Sequence, residues 1–214
     1  MKLVKNRAYP ILKYVRNKTV LEIGCVGMGE HDTLGGINFI AGYIKPLAKE
    51  WIGIDINREG VELLRKHGFN PIVVDAEKPF NLGKKFDIIL AEEVIEHLSN
   101  LPVFLNNVYN HLKDDGIFII TTPNPISPSF FIQRLLGGEI KDVHIHNHTH
   151  WHTHETLIEL LRRYNFEVVH YEYIHPMPVK QSILYKLVKI IWKLLPDVFG
   201  RNLLLIAKKS RKSE

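Results

Sequence analysis

Three glycines within six positions, Gly24, Gly27 and Gly29, close an apolar run that carries one acid, Glu22. Glycine lets a backbone turn sharply and lie against a ligand, because no Cβ intervenes. Two further acids end apolar runs: Asp55 follows Trp51-Ile52-Gly53-Ile54, and Asp75 follows Ile72-Val73-Val74. A fourth run, Phe86 to Leu90, leads into Ala91-Glu92-Glu93. Glycine turns and acids at strand ends mark the ligand crevice of a parallel α/β sheet, at the carboxyl ends of its strands. The glycines read G-x-x-G-x-G, not the G-x-G-x-x-G that seats a pyrophosphate on a helix N-terminus. The next helical pattern begins only near Gly36, after the polar stretch Glu30 to Gly35. A dinucleotide phosphate would miss the helix dipole it relies on. That spacing opposes the rival enzyme reading, a nicotinamide-dependent reductase.

A second group with chemical potential is His144, His146, His148, His150, His152 and His154, one at every second residue. In extended chain all six project from one face. They admit three readings: a metal site, an acceptor-side wall with His150 or His152 as general base, or exposed loop residues. Strand geometry alone does not converge them on one ion and no companion carboxylate motif is evident. No metal is therefore assigned.

The elements that must position these residues follow from periodicity and end signals. Arg7 to Val15 has a helical register and is expected to lie across the site entrance. Thr19 to Ile23, Trp51 to Asp55, Ile72 to Val74 and Phe86 to Leu90 read as strands, the last buried on both faces. Ile37 to Ala48 has an amphipathic helical rhythm, with Pro46 expected to kink its last turn. Asn57 can cap a helix from Arg58 to His67, which Gly68 ends. Leu101 to Leu112 gives the clearest helical face, and Asp114-Asp115-Gly116 is expected to turn into a fifth strand, Ile117 to Ile120. Thr153 can cap a helix through Tyr164, and Phe166 to Ile174 and Leu203 to Lys208 read as two final strands. Strands alternating with helices imply a mostly parallel sheet with helices on both faces.

At 214 residues, 45% hydrophobic and 24% charged, the chain suits one globular domain, 1–214. Two stretches read as insertions, at about 123–152 and about 178–200. Cys25 is the only cysteine, which excludes an internal disulfide and fits a reducing cytosol. Lys2, Lys5 and Arg7 interrupt any signal-peptide core, and no run reaches the roughly 18 apolar residues of a membrane span. Much of the net charge of +5 sits in Lys208-Lys209-Ser210-Arg211-Lys212, read as a solvated end. Scarce glutamine among many Lys and Glu residues is a thermophile trait.

Taken in order, Glu22-Ile23-Gly24-Cys25-Val26-Gly27-Met28-Gly29, Asp55-Ile56, Asp75-Ala76 and Phe86-Asp87-Ile88-Ile89-Leu90-Ala91-Glu92 resemble the four motifs of class I S-adenosylmethionine-dependent methyltransferases. The resemblance covers about Thr19 to Pro125. It implies a Rossmann-like, doubly wound seven-stranded sheet whose last strand runs antiparallel. It also implies S-adenosylmethionine as cofactor, held by the turn Gly24, Cys25, Gly27 and Gly29. Asp55 would accept the ribose hydroxyls and Ile56 pack on adenine. Asp75 would meet the adenine amino group, with the Ala76 N–H near the ring. Glu22 would hold the glycine loop or reach the ligand's ammonium through water, and Ala91 and Glu92 would line its methionine side. Glu96 and His97 are expected to be helical, packed or solvated. The Glu22 to Asp55 spacing exceeds the roughly 20 residues of comparable fingerprints. His148 to Leu157 resembles an H-x-H-[WF]-[YFS]-[ST]-x-E-T-L stretch that leads into a helix beside the acceptor pocket.

The resemblance implies methyl transfer to O, N or C of an acceptor, with a non-catalytic S-adenosylmethionine-binding module as the rival outside catalysis. Strand four ends in Ala-Glu-Glu-Val, not the Asn/Asp-Pro-Pro-Tyr that grips a planar amine. No Pro-Cys pair is present to attack a pyrimidine, and no aromatic-basic interleaving marks an RNA-reading surface. A small-molecule or lipid-linked acceptor remains. Within Lys180 to Leu195, Lys186, Lys189 and Lys193 share one helical sector opposite Ile183, Leu187, Ile190 and Ile191, with Trp192 at the boundary. That pattern suits peripheral contact at the inner membrane surface, or a face packed on the sheet or on a second subunit in a homodimer.

Overall fold

The computed structural model describes residues 9–27, 39–127, 147–174 and 200–210. The element order is α1 (Tyr9–Val15), β1 (Thr19–Ile23), α2 (Ala41–Ile44), β2 (Glu50–Asp55), α3 (Arg58–Lys66), β3 (Ile72–Val73) and β4 (Phe86–Glu92). A 3₁₀ turn (Ile95–His97) follows, then α4 (Leu101–His111), β5 (Leu112–Pro123), α5 (His154–Arg163), β6 (Phe166–Ile174) and β7 (Asn202–Lys209). The strands form one seven-stranded sheet in the order β3-β2-β1-β4-β5-β7-β6. β1 lies parallel between β2 and β4, with Val20 opposite Ile88 and Leu21 opposite Ile89. β7 runs antiparallel to both β5 and β6, as the resemblance implies.

The run Phe86 to Leu90, predicted to be buried on both faces, packs into both core layers. One core layer packs Leu21, Ile23, Ile89, Ala91 and Phe118 under the Leu101/Phe104/Leu105 face of α4 and Leu157 and Leu161 of α5. The opposite layer packs Val20, Ile88, Leu90 and Ile119 with Ile11 and Val15 of α1, Ala41 and Ile44 of α2, and Val61 and Leu64 of α3. Helices thus cover both faces, and the chemistry is left to the carboxyl ends of the parallel strands.

Local signals behave as the physics requires at three helix starts. Asn57 Oδ1 accepts from Gly60 N at 3.0 Å, Asn100 Oδ1 from Val103 N at 3.4 Å, and Thr153 forms a reciprocal capping box with Thr156. Two expectations need correction. The helix expected from Ile37 spans only Ala41–Ile44 among the described residues, and Pro46 follows its end instead of kinking its last turn. Asp114-Asp115-Gly116 makes no separate turn: Leu112 caps α4 and begins β5 at once. The surplus residues are absorbed where the β4–β5 register jumps from Phe86–Leu112 to Ile88–Ile117. The basic end is not wholly solvated either. Lys209 belongs to β7, pairs with Asp114 at 3.1 Å and lies 4.6 Å over the Tyr109 ring. The amphipathic segment 180–195, Gly29, His144 and His146 lie outside the described residues.

Candidate cofactor crevice

The glycine turn is tied to the end of β2. Gly24 N donates to Ile54 O at 2.8 Å, and Gly27 N to Gly24 O at 3.4 Å. Gly24 and Gly27 have φ of +77° and +75°, a region that side-chain-bearing residues rarely enter. A Cβ on Gly24 would stand 2.6 Å from Val94 Cγ2, whereas one on Gly27 would meet nothing within 4 Å. Gly24 is therefore needed for packing, and Gly27 leaves an exposed strip of backbone open to a ligand.

Asp55 joins the two walls of this crevice. Its Oδ2 accepts from Val26 N at 3.0 Å and its Oδ1 from Asn57 N at 2.9 Å. Burial raises its pKa, opposed by the backbone N–H groups of Asn57, Val26 and Ile56. Ile56 beside it is 68% exposed, a large apolar side chain free to cover a planar ring. Asp75, at the end of the next strand region, accepts from Glu77 N at 3.0 Å and pairs with Lys78 at 3.0 Å. The Lys78 ammonium, with the Glu77 N–H, holds its carboxyl below the usual range. Ala76 is half-buried against the core, and its carbonyl is held by Asn107 Nδ2 at 3.1 Å.

Beneath the turn, Glu22 is buried and its Oε2 accepts from Trp51 Nε1 at 2.6 Å. Burial pushes its pKa up to about 8, the Trp51 hydrogen bond opposes this, and Asp55 adds to it. Cys25 and Ala91 are also buried, so their side chains fill core and only their backbones can face the crevice. Glu92 ends β4 in register with Thr121. Next to it Glu93 adopts φ of +51°, with its N–H on Thr121 O and its Oε2 accepting from Asn202 Nδ2 at 2.8 Å.

The acceptor side is built on the 3₁₀ turn. Glu96 lies in this 3₁₀ helix and is packed, as expected: it is 1% exposed, and its Oε2 accepts from Thr122 Oγ1 at 3.0 Å. Its carbonyl accepts from Thr149 N at 2.8 Å and His150 N at 3.1 Å, pinning the histidine-rich segment onto the turn. Among the described residues the histidines fall into separate contacts. His148 packs edge-on to His97, with ring centroids 4.7 Å apart. His150 stacks on His152, and His154 enters α5 with its Nδ1 on Tyr173 Oη at 2.9 Å. His152 is buried; burial, then His150, push its pKa down to about 4, so its ring is neutral. Its Nε2 has no hydrogen-bond partner among the described residues. One oxygen of Glu96 and one ring nitrogen each of His97 and His148 lie within 4.8 Å of one another, a donor set of the kind that holds a divalent cation. Sequence reasoning missed that grouping, along with the Glu22–Trp51 and Glu93–Asn202 pairs. Each joins residues from distant parts of the chain, and only the acids at the end of an apolar strand gave a signal.

Comparison with known proteins agrees with this geometry. The family model described as "Methyltransferase domain" matches residues 3–171. The chain belongs to that methyltransferase family. The cofactor the family implies is S-adenosylmethionine, and the residues fit it: an open glycine backbone at Gly27, a fixed carboxylate at Asp55 and an exposed Ile56. Among curated relatives, the "Ubiquinone biosynthesis O-methyltransferase" of Rickettsia prowazekii is 26% identical over 131 residues, 59% of this chain and 48% of that protein. The mitochondrial protein of the same description from Rattus norvegicus is 28% identical over 134 residues, 58% of this chain and 36% of its own length. The chain thus spans half or less of these relatives. A solved methyltransferase from Archaeoglobus fulgidus, titled as SAM-dependent, shares the fold with a TM-score of 0.62 and 24% identity, covering 97% of this chain and 94% of its own.

Proposed function

We propose that the protein transfers a methyl group from S-adenosylmethionine to a small-molecule or lipid-linked acceptor. The carrying observation is Asp55, whose carboxylate is fixed by Val26 N and Asn57 N beside the open backbone of Gly27. The bound cofactor supplies an activated methyl group on a sulfonium. Asp55 accepts the ribose hydroxyls, Ile56 covers the adenine, and Asp75 with Ala76 N meets its edge. Gly27 leaves room for the methionine portion, and Glu92 bounds its far side.

Transfer needs in-line placement of the acceptor atom more than elaborate acid–base chemistry. The segment pinned to the Glu96 carbonyl carries the candidates to take the acceptor's proton, His150 and His152. The relatives' description as O-methyltransferases favours a hydroxyl acceptor over nitrogen or carbon. Lys180 to Leu195, basic on one side and apolar on the other, would bring the protein to a lipid surface where a lipid-linked acceptor resides. Among the described residues no helix is long and apolar enough to cross a membrane.

Thermal shift with S-adenosylhomocysteine against NAD tests the cofactor. A ligand at 100 times its Kd adds about 2.7 kcal/mol of stability. Stabilisation by NAD alone would overturn the reading. A turnover screen over phenolic and lipid-linked acceptors then separates an enzyme from a module that only binds the cofactor.

A further inference from the structure

Glu96, His97 and His148 come together near the carboxyl ends of β4 and β5, where the 3₁₀ turn meets the segment that precedes α5. One oxygen of Glu96 and one ring nitrogen of each histidine lie within 4.8 Å of one another. Further residues hold each of the three in place. Glu96 is buried, and Thr122 Oγ1 of β5 donates to its Oε2 at 3.0 Å. His97 Nδ1 lies 3.1 Å from Asn147 O. A carbonyl oxygen only accepts, so Nδ1 carries the ring proton and Nε2 keeps its lone pair. His148 packs edge-on to His97 and to Trp151, with centroids 4.7 and 5.3 Å away. The next residue fixes its backbone: Thr149 N donates to Glu96 O, and Thr149 Oγ1 to Leu98 O at 2.9 Å. The convergence is therefore built by hydrogen bonds and ring packing around the three donors, and does not wait for an ion.

A metal-bound histidine donates its second ring N–H to a carbonyl or carboxylate, and a metal-bound carboxylate is itself hydrogen-bonded. Asn147 O and Thr122 Oγ1 play these two parts here. We propose that Glu96, His97 and His148 bind one divalent first-row transition ion. Two imidazole nitrogens beside one carboxylate select Zn²⁺ and its neighbours in that series over Mg²⁺ and Ca²⁺, which take oxygen shells. Bonds of about 2.0–2.2 Å set donors around one ion about 3–4 Å apart, so the ion draws the three slightly closer. Three protein donors leave a position for water or another oxygen ligand, as in sites that exchange ligands and unlike closed structural ones. The ion also ties the turn after β4 to a segment remote in sequence, and so stiffens the clasp that Thr149 begins. Nothing in the site depends on the cofactor reading, and the two are tested apart.

Equilibrium dialysis of the untagged full chain, stripped by a chelator, against Zn²⁺ should find one site of highest affinity per chain. Excess Mg²⁺ or Ca²⁺ should not displace the Zn²⁺. Co²⁺ in the same site reports its coordination through visible absorption, and that spectrum should change in His97→Gln and in His148→Gln. Each of these variants should bind Zn²⁺ at least ~100-fold more weakly, since loss of a partner outside the donor set alone costs about 10–100-fold. Thr122→Val removes only the hydrogen bond to the carboxylate and should weaken Zn²⁺ binding about tenfold. His154→Gln lies in the same histidine-rich stretch but outside the donor set. It should bind like the parent, and so controls for capture by stray histidines. Glu96→Gln tests the acid directly; if it does not fold, the histidine variants and Thr122→Val carry the test, with folding checked by circular dichroism. The proposal is overturned by a parent that binds no Zn²⁺ or prefers Mg²⁺, by parental affinity in both His97→Gln and His148→Gln, or by an equal loss in His154→Gln.

Discussion

Gly27→Ala is the substitution that separates a structural glycine from one kept open for a ligand. Gly27 is exposed, with φ of +75° and empty space where a Cβ would stand. In the ligand-free protein the only penalty is backbone strain, about 1–2 kcal/mol for a left-handed alanine. A domain of this size loses roughly 2–4 °C in Tm per kcal/mol. The ligand-bound state suffers more, because the methyl group occupies the strip where cofactor and backbone should meet. The stabilisation by saturating S-adenosylhomocysteine, about 2.7 kcal/mol at 100 times Kd, should shrink by at least the ~1.4 kcal/mol of a tenfold weaker Kd. Gly24→Ala gives the opposite signature. Its Cβ would stand 2.6 Å from Val94 Cγ2, adding about 1–3 kcal/mol of overpacking to the same strain, while the folded fraction keeps its ligand response. Differential scanning fluorimetry with and without ligand reads both. A Gly27→Ala protein stabilised by S-adenosylhomocysteine as fully as the parent would refute the placement of the ligand on this turn.

Asp55→Ala removes the acceptor for Val26 N and Asn57 N, interactions to a charged group of about 1.5–3 kcal/mol each. Both the Tm and the S-adenosylhomocysteine shift should fall, measured in the same fluorimetric assay. At Asp87, burial raises the carboxyl pKa, but the Lys113 ammonium and the Thr19 N–H and O–H prevail and bring it to about 2. A depressed acid stabilises above its unfolded pKa of about 3.9 and loses that contribution as pH falls toward 2. Urea denaturation should find Asp87→Asn less stable than the parent at pH 7 and equal to it at pH 2. Flotation on anionic vesicles should carry the parent upward and leave Leu187→Glu and Ile191→Glu behind; a parent that stays at the bottom ends the membrane proposal.

The sheet was legible because its central strands are continuous apolar runs bounded by glycine or acid, and burial on both faces demands that pattern. The place of Asp55 at the end of β2 was legible for the same reason. The resemblance, not periodicity, supplied the antiparallel β7. What escaped were effects that depend on the third dimension. Trp51 and Glu22 are 29 positions apart, and their contact follows from the one-to-one register of β1 on β2. Glu96 looked like an ordinary helical acid until Thr122 of a neighbouring strand and Thr149 of a remote segment came to it. At the histidine repeat the Thr153 cap was legible, but not that Thr149 and His150 hang on the Glu96 carbonyl.

β7 lies between β5 and β6 although it follows both in sequence. Strand β6 therefore has no partner in the sheet until β7 arrives, and β5 meanwhile presents its own unpaired edge. Eight residues, Asn202–Lys209, close both gaps at once. A chain nicked or shortened ahead of them keeps the glycine turn, Asp55 and the parallel half of the sheet, yet exposes two unpaired strand edges of the kind that recruit other chains. Self-association of such a fragment, with the crevice residues still in place, is the expected failure of this fold: its edges are closed by a segment far in sequence from the proposed cofactor crevice.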